Sequence, residues 1–262
     1  MIILFADVAE LVDAQVSEAC SREGVEVRFF SSAPNLRKND MMKAVKSSFL
    51  FVRRFFQMSQ DFIEILKQHQ PAFGLDLTEK ALSRLADYYQ LIQKHNAILH
   101  LVAPGEPENF AVRHMLESLT LLEYLPENSK FADVGTGAGL PGIPCLLVRE
   151  DLHGSLIESK QKKAQFLSEA RETLGLKNQM TIINRQFEEI RKPDVRFITC
   201  RALDKFTQKL PALLKWSENS YMLFFGGENL REELRKHGLT FREKLLPMSE
   251  KRFLFQIKKT KI

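Results

Sequence analysis

Four glycines and two prolines occupy the twelve-residue segment DVGTGAGLPGIP, residues 133 to 144, directly after the apolar run KFA. Glycine adopts backbone conformations with positive φ and lets a ligand approach the main chain closely. Asp133 adds a carboxyl group at the start of the segment. The segment is therefore a candidate binding loop, and three closely spaced glycines exceed what a tight turn needs. Its glycines fit two motifs, GxGxG (Gly135, Gly137, Gly139) and GxGxxG (Gly137, Gly139, Gly142).

The two motifs imply different ligands. GxGxxG is the dinucleotide fingerprint, in which a pyrophosphate accepts hydrogen bonds from N–H groups at a helix N-terminus. Asp133 would repel a phosphate, and Pro141 and Pro144 remove N–H donors from the first turn of the following helix. A carboxylate instead attracts a cation, by about 1 to 4 kcal/mol per contact depending on how dry the pocket is. The loop therefore favours S-adenosylmethionine, the usual ligand of a GxGxG loop, because this cofactor carries a sulfonium and an ammonium group.

Two further polar residues end strands of the same predicted sheet. Glu158 follows Gly139 by nineteen residues, the distance at which an acidic side chain binds ribose hydroxyls. The alternative for Glu158 is a solvated carboxylate that caps the next helix. Arg201 ends the fourth predicted strand, where its planar guanidinium can hold a phosphate, a guanine or the cofactor. The alternative for Arg201 is a structural salt bridge.

Strands alternate with helices from Lys130 to the C-terminal region. The first five predicted strands are KFADV, GSLIES, MTIIN, VRFITCRA and SYMLFF, and helical segments separate most of them. This alternation predicts a parallel sheet with helices on both faces. The last two strands, in TFREKLLPM and KRFLFQIKK, have no helix between them and should pair antiparallel. Residues 126–262 are thus expected to form an α/β, Rossmann-like sheet that ends in an antiparallel hairpin. This architecture resembles that of class I S-adenosylmethionine-dependent methyltransferases, a resemblance at the level of fold.

A small helical subdomain is predicted over residues 58–125. Asp76 and Glu79 have the spacing of a capping box at the start of the first helix. His114, beside Arg113, is expected to pack between this subdomain and the sheet or to face the site. Two apolar stripes at helical spacing define the helices. Their members are Ala81, Leu82, Leu85, Tyr89 and Ile92, then Val112, Met115, Leu116, Leu119 and Leu122.

Residues 1–57 show no sustained periodicity and are expected to be disordered or non-native. The stretch VAELVDAQVSEACSREGVEVRFFSSAPN resembles the peptide produced when a tRNA gene is translated. Met58, which opens MSQDFIEILKQ, has the character of a natural start, and a genuine N-terminal extension is the alternative. Peptides from upstream of Met58 in the natively expressed protein would support that alternative.

Composition restricts the class of protein. The formal net charge of +5 is compatible with a polyanionic partner. Three separated cysteines, Cys20, Cys145 and Cys200, suggest neither disulfides nor a metal site, and we expect a cytoplasmic protein without a membrane span. A monomer is expected. One predicted helix carries a candidate basic face for RNA, with a solvated helix face as the alternative. The residues of this face are Lys160, Lys162, Lys163 and Arg171.

With these residues placed, the chain from about Met58 onward resembles the RsmG/GidB family. The resemblance rests on AVRHMLESLTLLEYL, FADVGTGAGLPGIP, ESKQKKAQFLSEARETLGL, TCRALDKF and KRFLFQIKK in this order. It implies methylation of guanine N7 at position 527, in the 530 loop of 16S rRNA, by a protein that acts on 16S rRNA or the 30S subunit. It also implies that Gly135 and Leu140 contact S-adenosylmethionine and that Arg201 lies in the active cleft.

The resemblance further implies that Gln186, Phe187 and Glu188 flank the adenine, and Phe187 is expected to stack on a base or to join the core. The family's alanine–glutamate pair is replaced here by Gln186 and Phe187, and its lysine–glycine after the fifth strand by FFGGEN. Guanine N7 carries a free lone pair, so catalysis can rest on positioning without a general base. A nicotinamide-dependent oxidoreductase and a non-catalytic RNA-binding module remain the alternative functions.

Overall fold

The computed structural model describes residues 2–5, 27–30, 57–201 and 206–258. The chain divides into two compact units, Met1–Met58 and Ser59–Ile262. In the first unit, strands β1 (Ile2–Phe5) and β2 (Val27–Phe30) pair in parallel. The expectation of low order for the rest of residues 1–56 lies outside the described residues.

The second unit is built on a seven-stranded sheet with the order β5-β4-β3-β6-β7-β9-β8. Neighbouring strands from β5 to β7 run parallel, whereas β9 is antiparallel to both β7 and β8. This confirms the predicted α/β sheet and its closing hairpin. The strands are β3 (Lys130–Val134), β4 (His153–Ile157), β5 (Met180–Ile183), β6 (Phe197–Arg201), β7 (Tyr221–Gly226), β8 (Phe241–Leu245) and β9 (Phe253–Lys258).

Helices precede the sheet and connect its strands. Helix α3 is composite: an α-helical turn (Pro107–Phe110), a π-helical segment (Ala111–Leu116), a second α-helical turn (Glu117–Leu119) and a 3-10 turn (Thr120–Tyr124). Short 3-10 turns also occur at Gln70–Phe73 and Phe187–Glu189. The other helices are α1 (57–69), α2 (Glu79–Leu99), α4 (Gly142–Val148), α5 (Gln161–Thr173), α6 (Phe206–Trp216) and α7 (Glu228–Lys236).

Helix α2 begins two residues later than the predicted capping box implies, since its N-cap is residue 78 rather than residue 76. Its N-cap is Thr78, whose Oγ1 accepts a 3.2 Å hydrogen bond from the Ala81 N–H. The prediction of a box formed by Asp76 and Glu79 is therefore wrong, because a second good capping residue stands closer to the first helical turn. The predicted stripe is nevertheless correct: all five of its members are buried against the rest of the unit.

The predicted apolar stripe of α3 is correct except at its last member, which lies in the 3-10 turn. A 3-10 turn has three residues per turn, so its residues depart from the α-helical period. Val112, Met115, Leu116 and Leu119 are buried as predicted. Beyond them Leu121 is buried, whereas the predicted Leu122 is only half-buried.

The order of the strands fixes where a ligand can bind. Strand β3 lies between β4 and β6, so the connections out of β3 and β6 lead to opposite sides of the sheet. Ligands of open α/β sheets bind at such a switch point, beyond the carboxyl ends of the strands. The glycine loop follows β3, Glu158 follows β4 and Arg201 ends β6. The fold therefore brings the three predicted elements of the site to one edge.

Candidate active site

The glycine loop uses positive φ at three positions. Gly135 has φ 68°, Gly137 has φ 59° and Gly139 has φ 99°. A Cβ on Gly139 would lie 2.3 Å from Ile143 Cδ1, so only glycine fits there. Gly142 packs differently: a Cβ on it would meet Asp133 Oδ2 at 2.9 Å. The backbone conformation thus follows the GxGxG motif, with Gly142 serving the close approach of α4 to the sheet.

Most amides of the loop donate hydrogen bonds within the protein. The Gly139 and Leu140 N–H groups donate to the Thr136 carbonyl, and the Ile143 N–H donates to the Gly139 carbonyl. The Gly135 and Thr136 N–H groups donate to the Ile157 carbonyl oxygen. These donors are consumed by the fold, so the loop does not present the row of free N–H groups that a pyrophosphate requires.

Asp133 lies behind the loop rather than in the wall of the cavity described below. Its carboxyl group is fully buried, and Oδ2 accepts hydrogen bonds from Thr136 Oγ1 (2.6 Å) and the Gly142 N–H (3.0 Å). Oδ1 is buried without a hydrogen-bond partner among the described residues. Burial raises the pKa of Asp133 to about 7, against the lowering effect of these hydrogen bonds. Asp133, which was predicted to bind the cofactor, therefore anchors the loop through its hydrogen bonds with Thr136 and Gly142.

Glu158 is both a helix cap and a cavity residue. Its Oε1 accepts a 2.8 Å hydrogen bond from the Lys160 N–H at the start of α5, and its Oε2 accepts one of 2.9 Å from the Gly137 N–H. The side chain is only 6% exposed, so the solvated carboxylate considered above is not observed. Each carboxylate oxygen has two lone pairs. Glu158 thus retains acceptor capacity on the cavity side.

A tyrosine that the sequence analysis missed anchors the loop. The buried hydroxyl of Tyr88, on α2, donates a 2.7 Å hydrogen bond to the Ala138 carbonyl oxygen. A Cβ on Gly139 would lie 3.1 Å from the same hydroxyl. The signal available in the sequence was weak, because Tyr88 precedes Tyr89 and only the latter continues the apolar stripe. Helix α2 therefore contacts the binding loop directly.

A cavity of about 570 Å³ opens beside the loop. Segment 101–103, which follows α2, lines it, as do Ser159, Lys160, Lys163 and Lys209, and none of these was assigned to a pocket in advance. The predicted site residues in the cavity wall are Gly135, Gly137, Leu140, Glu158, Gln186 and Arg201. Those not among its lining residues are Asp133, Gly139, Phe187 and Glu188.

The segment after β5 divides between the cavity and the core. Gln186 is exposed and lines the cavity, whereas Phe187 is 2% exposed and packs edge-on against Trp216 at 5.7 Å. Of the two alternatives for Phe187, the core position is the one observed, and its ring cannot stack on a bound base. Glu188 is exposed and forms a 3.0 Å ion pair with Lys209. Any contact of Phe187 with a cofactor would therefore involve its backbone.

Arg201 lines the cavity and is also ion-paired. Its guanidinium donates to Ser118 Oγ (3.3 Å), to the Glu117 carboxylate (3.3 Å) and to the Arg113 carbonyl oxygen. Glu117 is 1% exposed and also pairs with Arg252, 2.7 Å from Nε. Burial lowers the pKa of Arg201. The salt bridge considered as an alternative is present, and it coexists with a position in the cavity wall.

His114, on the π-helical segment, completes one side of the cavity. Its ring packs edge-on against Phe110 at 4.9 Å, and Nδ1 is buried without a partner in the described part of the chain. Burial, followed by the charges of Arg201 and Arg113, lowers the pKa of His114 to about 3. The imidazole is therefore neutral at pH 7 and is not a source of positive charge.

The predicted basic face of α5 is only partly directed at the cavity. Lys160 and Lys163 line the cavity, and Lys162 is exposed. Arg171 lies at the other end of the helix, where it pairs with Glu172 at 3.3 Å. Lys209 of α6 adds a cation at the cavity that the sequence did not indicate.

Metal ligation and membrane insertion can both be assessed for the described residues. Among the residues in ranges 2–5, 27–30, 57–201 and 206–258, no cluster of three or more His, Cys, Asp or Glu could hold a metal ion. In the same ranges, no helix has the length and apolar character required to span a membrane.

Comparisons with known proteins agree on one family. The family model GidB, rRNA small subunit methyltransferase G, matches residues 81–253. A protein named "Ribosomal RNA small subunit methyltransferase G" from Nitrosospira multiformis is 46% identical over 45% of this chain and 54% of its own length. The protein of that name from Chromobacterium violaceum is 34% identical over 62% of this chain and 78% of its own length. The protein of that name from Pelotomaculum thermopropionicum is 39% identical over 51% of this chain and 56% of its own. The chain thus spans about half the length of the first and third relatives. The matched range contains the glycine loop, Glu158 and Arg201, and the chain belongs to the rRNA small subunit methyltransferase G family.

Proposed function

We propose that the protein transfers the methyl group of S-adenosylmethionine to N7 of a guanine in 16S rRNA, at position 527 of the 530 loop. The relatives' name supports the substrate class, a small-subunit ribosomal RNA. The cavity at the switch point supports the cofactor. The working compartment is accordingly the cytoplasm, and the partner is 16S rRNA alone or within the 30S subunit.

The observation that carries the proposal is the use of the loop's own donors. The Gly137 N–H donates to Glu158 in the cavity wall and the Gly142 N–H donates to Asp133 behind the loop, so neither donor is left for a phosphate. The Glu158 carboxylate in the cavity wall repels anions and attracts cations. This arrangement disfavours the nicotinamide-dependent alternative and favours a cationic cofactor.

The residues present fit S-adenosylmethionine in three respects. The cavity volume of about 570 Å³ lies in the range of about 300 to 1,000 Å³ that is usual for small-molecule sites. The buried Glu158 carboxylate lines the cavity and keeps acceptor capacity there. The space beside Gly137 is free of close contacts, since a Cβ there would have no neighbour nearer than 3.9 Å. Glu158 would bind the ribose hydroxyls, and Leu140 and Leu101 would pack on apolar parts of the cofactor.

When bound, S-adenosylmethionine supplies an electrophilic methyl group on a sulfonium centre. Guanine N7 bears a lone pair at neutral pH, so the chain needs no base to remove a proton from it. The chain's task is to align N7 with the methyl group at about 3 to 3.5 Å, which accelerates transfer by removing the entropic cost of alignment. The His114 imidazole is neutral at pH 7, so it can form hydrogen bonds in the site without a change in its protonation state near that pH.

The proposal is tested with purified protein, methyl-labelled S-adenosylmethionine and 30S subunits or naked 16S rRNA from a strain that lacks the enzyme. We expect label in 7-methylguanosine on nucleoside analysis and a single modified position on sequencing. Label in another nucleoside would contradict the N7 assignment. Cofactor binding without transfer to either substrate would favour the non-catalytic RNA-binding module.

A further inference from the structure

Glu117 is a buried carboxylate that two arginines share. It lies on α3, while Arg201 ends β6 and Arg252 directly precedes β9. Its Oε2 lies 3.3 Å from Arg201 Nη2, and its Oε1 lies 2.7 Å from Arg252 Nε and 2.6 Å from Arg252 Nη2. The side chain is 1% exposed. Helix α3, the sheet edge and the closing hairpin therefore meet at this one carboxylate.

The guanidinium of Arg201 is held from one side by a single stretch of α3. Nη1 donates to Ser118 Oγ, and Nη2 donates to the Glu117 carboxylate and the Arg113 carbonyl oxygen. The guanidinium carbon lies 5.6 Å from the centroid of the Phe225 ring. These contacts fix both the position and the plane of a group that lines the cavity.

The π-helical segment supplies two residues of this arrangement. Arg113 and His114 lie within Ala111–Leu116, and Glu117 follows directly. In a π-helix each carbonyl bonds to an N–H one residue further along than in an α-helix, and such segments recur at functional sites. Here the carbonyl oxygen of Arg113 accepts from Arg201, and the ring of His114 joins the same cavity wall.

The cluster around Glu117 carries a positive excess, and Arg201 is its member that lines the cavity. The cluster of Glu117, Arg201 and Arg252 contains one carboxylate and two guanidinium groups, so its formal charges sum to +1. A guanidinium can bind guanine through O6 and N7 or hold a phosphate. A donor on N7 would occupy the lone pair that attacks the methyl group. If Arg201 contacts the target nucleotide, a productive contact is to O6 or to a phosphate, and the orientation of its guanidinium decides between productive and blocked binding.

We propose that Glu117 is a positioning residue for the transfer reaction. It acts through Arg201, whose guanidinium it aims away from N7 and toward another acceptor of the target nucleotide. This inference rests on the proposed function. It assigns to Glu117 an effect on the chemical step, with little effect on cofactor binding, because Glu117 itself is not among the residues that line the cavity.

The first test compares Glu117→Gln with Glu123→Gln. Glu123 is a matched control, because it also lies on α3 and also pairs with the hairpin, through Lys244, but it is exposed and remote from Arg201. We expect Glu117→Gln to lower kcat for methyl transfer to 30S subunits at least tenfold while the Kd for S-adenosylmethionine changes less than threefold. Glu123→Gln should leave both within twofold. Equal kcat values for the two variants would overturn the inference.

A double variant separates positioning from the stability of buried charge. Glu117→Gln alone leaves two guanidinium groups without a carboxylate, which destabilises a protein interior. Glu117→Gln with Arg252→Gln keeps the net charge of the cluster, and we expect its Tm to recover toward that of Arg252→Gln alone. Its kcat should stay at least fivefold below that of Arg252→Gln. Recovery of kcat together with Tm would show that Glu117 has only a structural role and would overturn the inference.

A spectroscopic readout is independent of methyl transfer. In ¹⁵N spectra, the Arg201 Nη2–H signals, assigned by their loss in Arg201→Lys, should exchange slowly with water in the wild-type chain and rapidly in Glu117→Gln, because Nη2 donates to the Glu117 carboxylate. An unchanged exchange rate would overturn the inference even if the protein were active. Absence of transfer by the wild-type chain, with normal exchange rates, would instead contradict the proposed function and leave the held guanidinium established.

Discussion

The hydroxyl of Tyr88 donates a 2.7 Å hydrogen bond to the carbonyl oxygen of Ala138, fifty residues further along the chain. Tyr88 is fully buried on α2, and burial raises its pKa well above 10, so the hydroxyl stays protonated and remains a donor at any physiological pH. Ala138 stands between two glycines of the loop, which give the main chain little conformational preference of its own. A helix outside the sheet therefore fixes the shape of the loop that the cofactor is proposed to contact.

Tyr88→Phe should weaken cofactor binding. The substitution removes one hydrogen bond and leaves the Ala138 carbonyl without this donor, at a cost of about 1 to 3 kcal/mol. Part of this cost should appear as lower stability and part as a three- to tenfold rise in the Kd for S-adenosylmethionine, measured by calorimetry. Tyr89→Phe is the control, because Tyr89 is also a buried residue of α2 and stacks on Phe62 at 4.0 Å. Equal Kd values for the two variants would contradict a role for the Tyr88 hydroxyl.

Gly139→Ala should be far more damaging than Gly175→Ala. Both glycines have positive φ, which costs an L-residue about 1 to 2 kcal/mol. Only at Gly139 would the new methyl group also clash, 2.3 Å from Ile143 Cδ1, whereas nothing lies within 4 Å at Gly175. Overpacking adds about 1 to 3 kcal/mol. In urea denaturation, the free energy of unfolding should therefore fall by at least about 1 kcal/mol more in Gly139→Ala than in Gly175→Ala. Comparable decreases in the two variants would refute the close packing of the loop.

The sheet could be predicted from sequence because its signals are local. Apolar runs such as KFADV and helical stripes such as that of α2 repeat with the period of the element they form. The hairpin followed from the lack of a helix between the last two strands. The GxGxG motif followed from glycine chemistry, and the positive φ at Gly135, Gly137 and Gly139 agrees with it.

Contacts between distant segments could not be predicted in this way. The pairs Tyr88 with Ala138 and Glu117 with Arg252 are separated by 50 and 135 positions, and neither periodicity nor a motif links them. The partner of a buried charge depends on the tertiary fold, which is why Arg201 had two open alternatives. Asp133 shows the same limit: its residue type indicated a carboxyl group at the loop, but not that Thr136 and Gly142 would occupy one of its oxygens.

Stability should decrease as pH rises toward neutrality, because of Asp133. Its pKa is about 7 in the folded protein and about 3.9 in an unfolded chain. Between these values the folded state binds more protons than the unfolded state, so the free energy of unfolding falls as pH rises and levels off above about 7. Asp133→Asn keeps an oxygen acceptor for Thr136 and the Gly142 N–H but does not titrate. Its free energy of unfolding, relative to that of the wild type, should therefore increase from pH 5 to pH 8.

Asp151→Asn is the control for this pH dependence. The hydrogen bond from Arg149 holds the pKa of Asp151 well below its usual range, the opposite direction to Asp133. Asp151 is ionised in both folded and unfolded states above about pH 5, so the stability of Asp151→Asn relative to wild type should be constant from pH 5 to pH 8. A slope for Asp151→Asn, or a flat difference for Asp133→Asn, would contradict the assignment of the buried titrating group.

Glu158→Gln, at the residue that caps α5, should reduce cofactor affinity more than the removal of an exposed carboxylate at the far end of α5. Glu158 accepts from the Gly137 and Lys160 N–H groups with one oxygen each, and a glutamine has only one oxygen to offer. The variant would lose a charge-assisted hydrogen bond to the loop and the carboxylate proposed to bind the ribose, worth about 1.5 to 3 kcal/mol. We expect the Kd for S-adenosylmethionine to rise about 10- to 100-fold.

The matched substitution is Glu172→Gln on the same helix, α5, where the carboxylate is exposed and pairs with Lys177 and Arg171. Its Kd should stay within twofold of wild type, since exposed ion pairs contribute little. Adenosine, which keeps the ribose and lacks the sulfonium, adds a second comparison. If Glu158 binds the ribose hydroxyls, Glu158→Gln should raise the Kd values for adenosine and S-adenosylmethionine by similar factors. A higher Kd for S-adenosylmethionine alone would mean that Glu158 acts through its charge on the sulfonium, and the ribose assignment would be wrong.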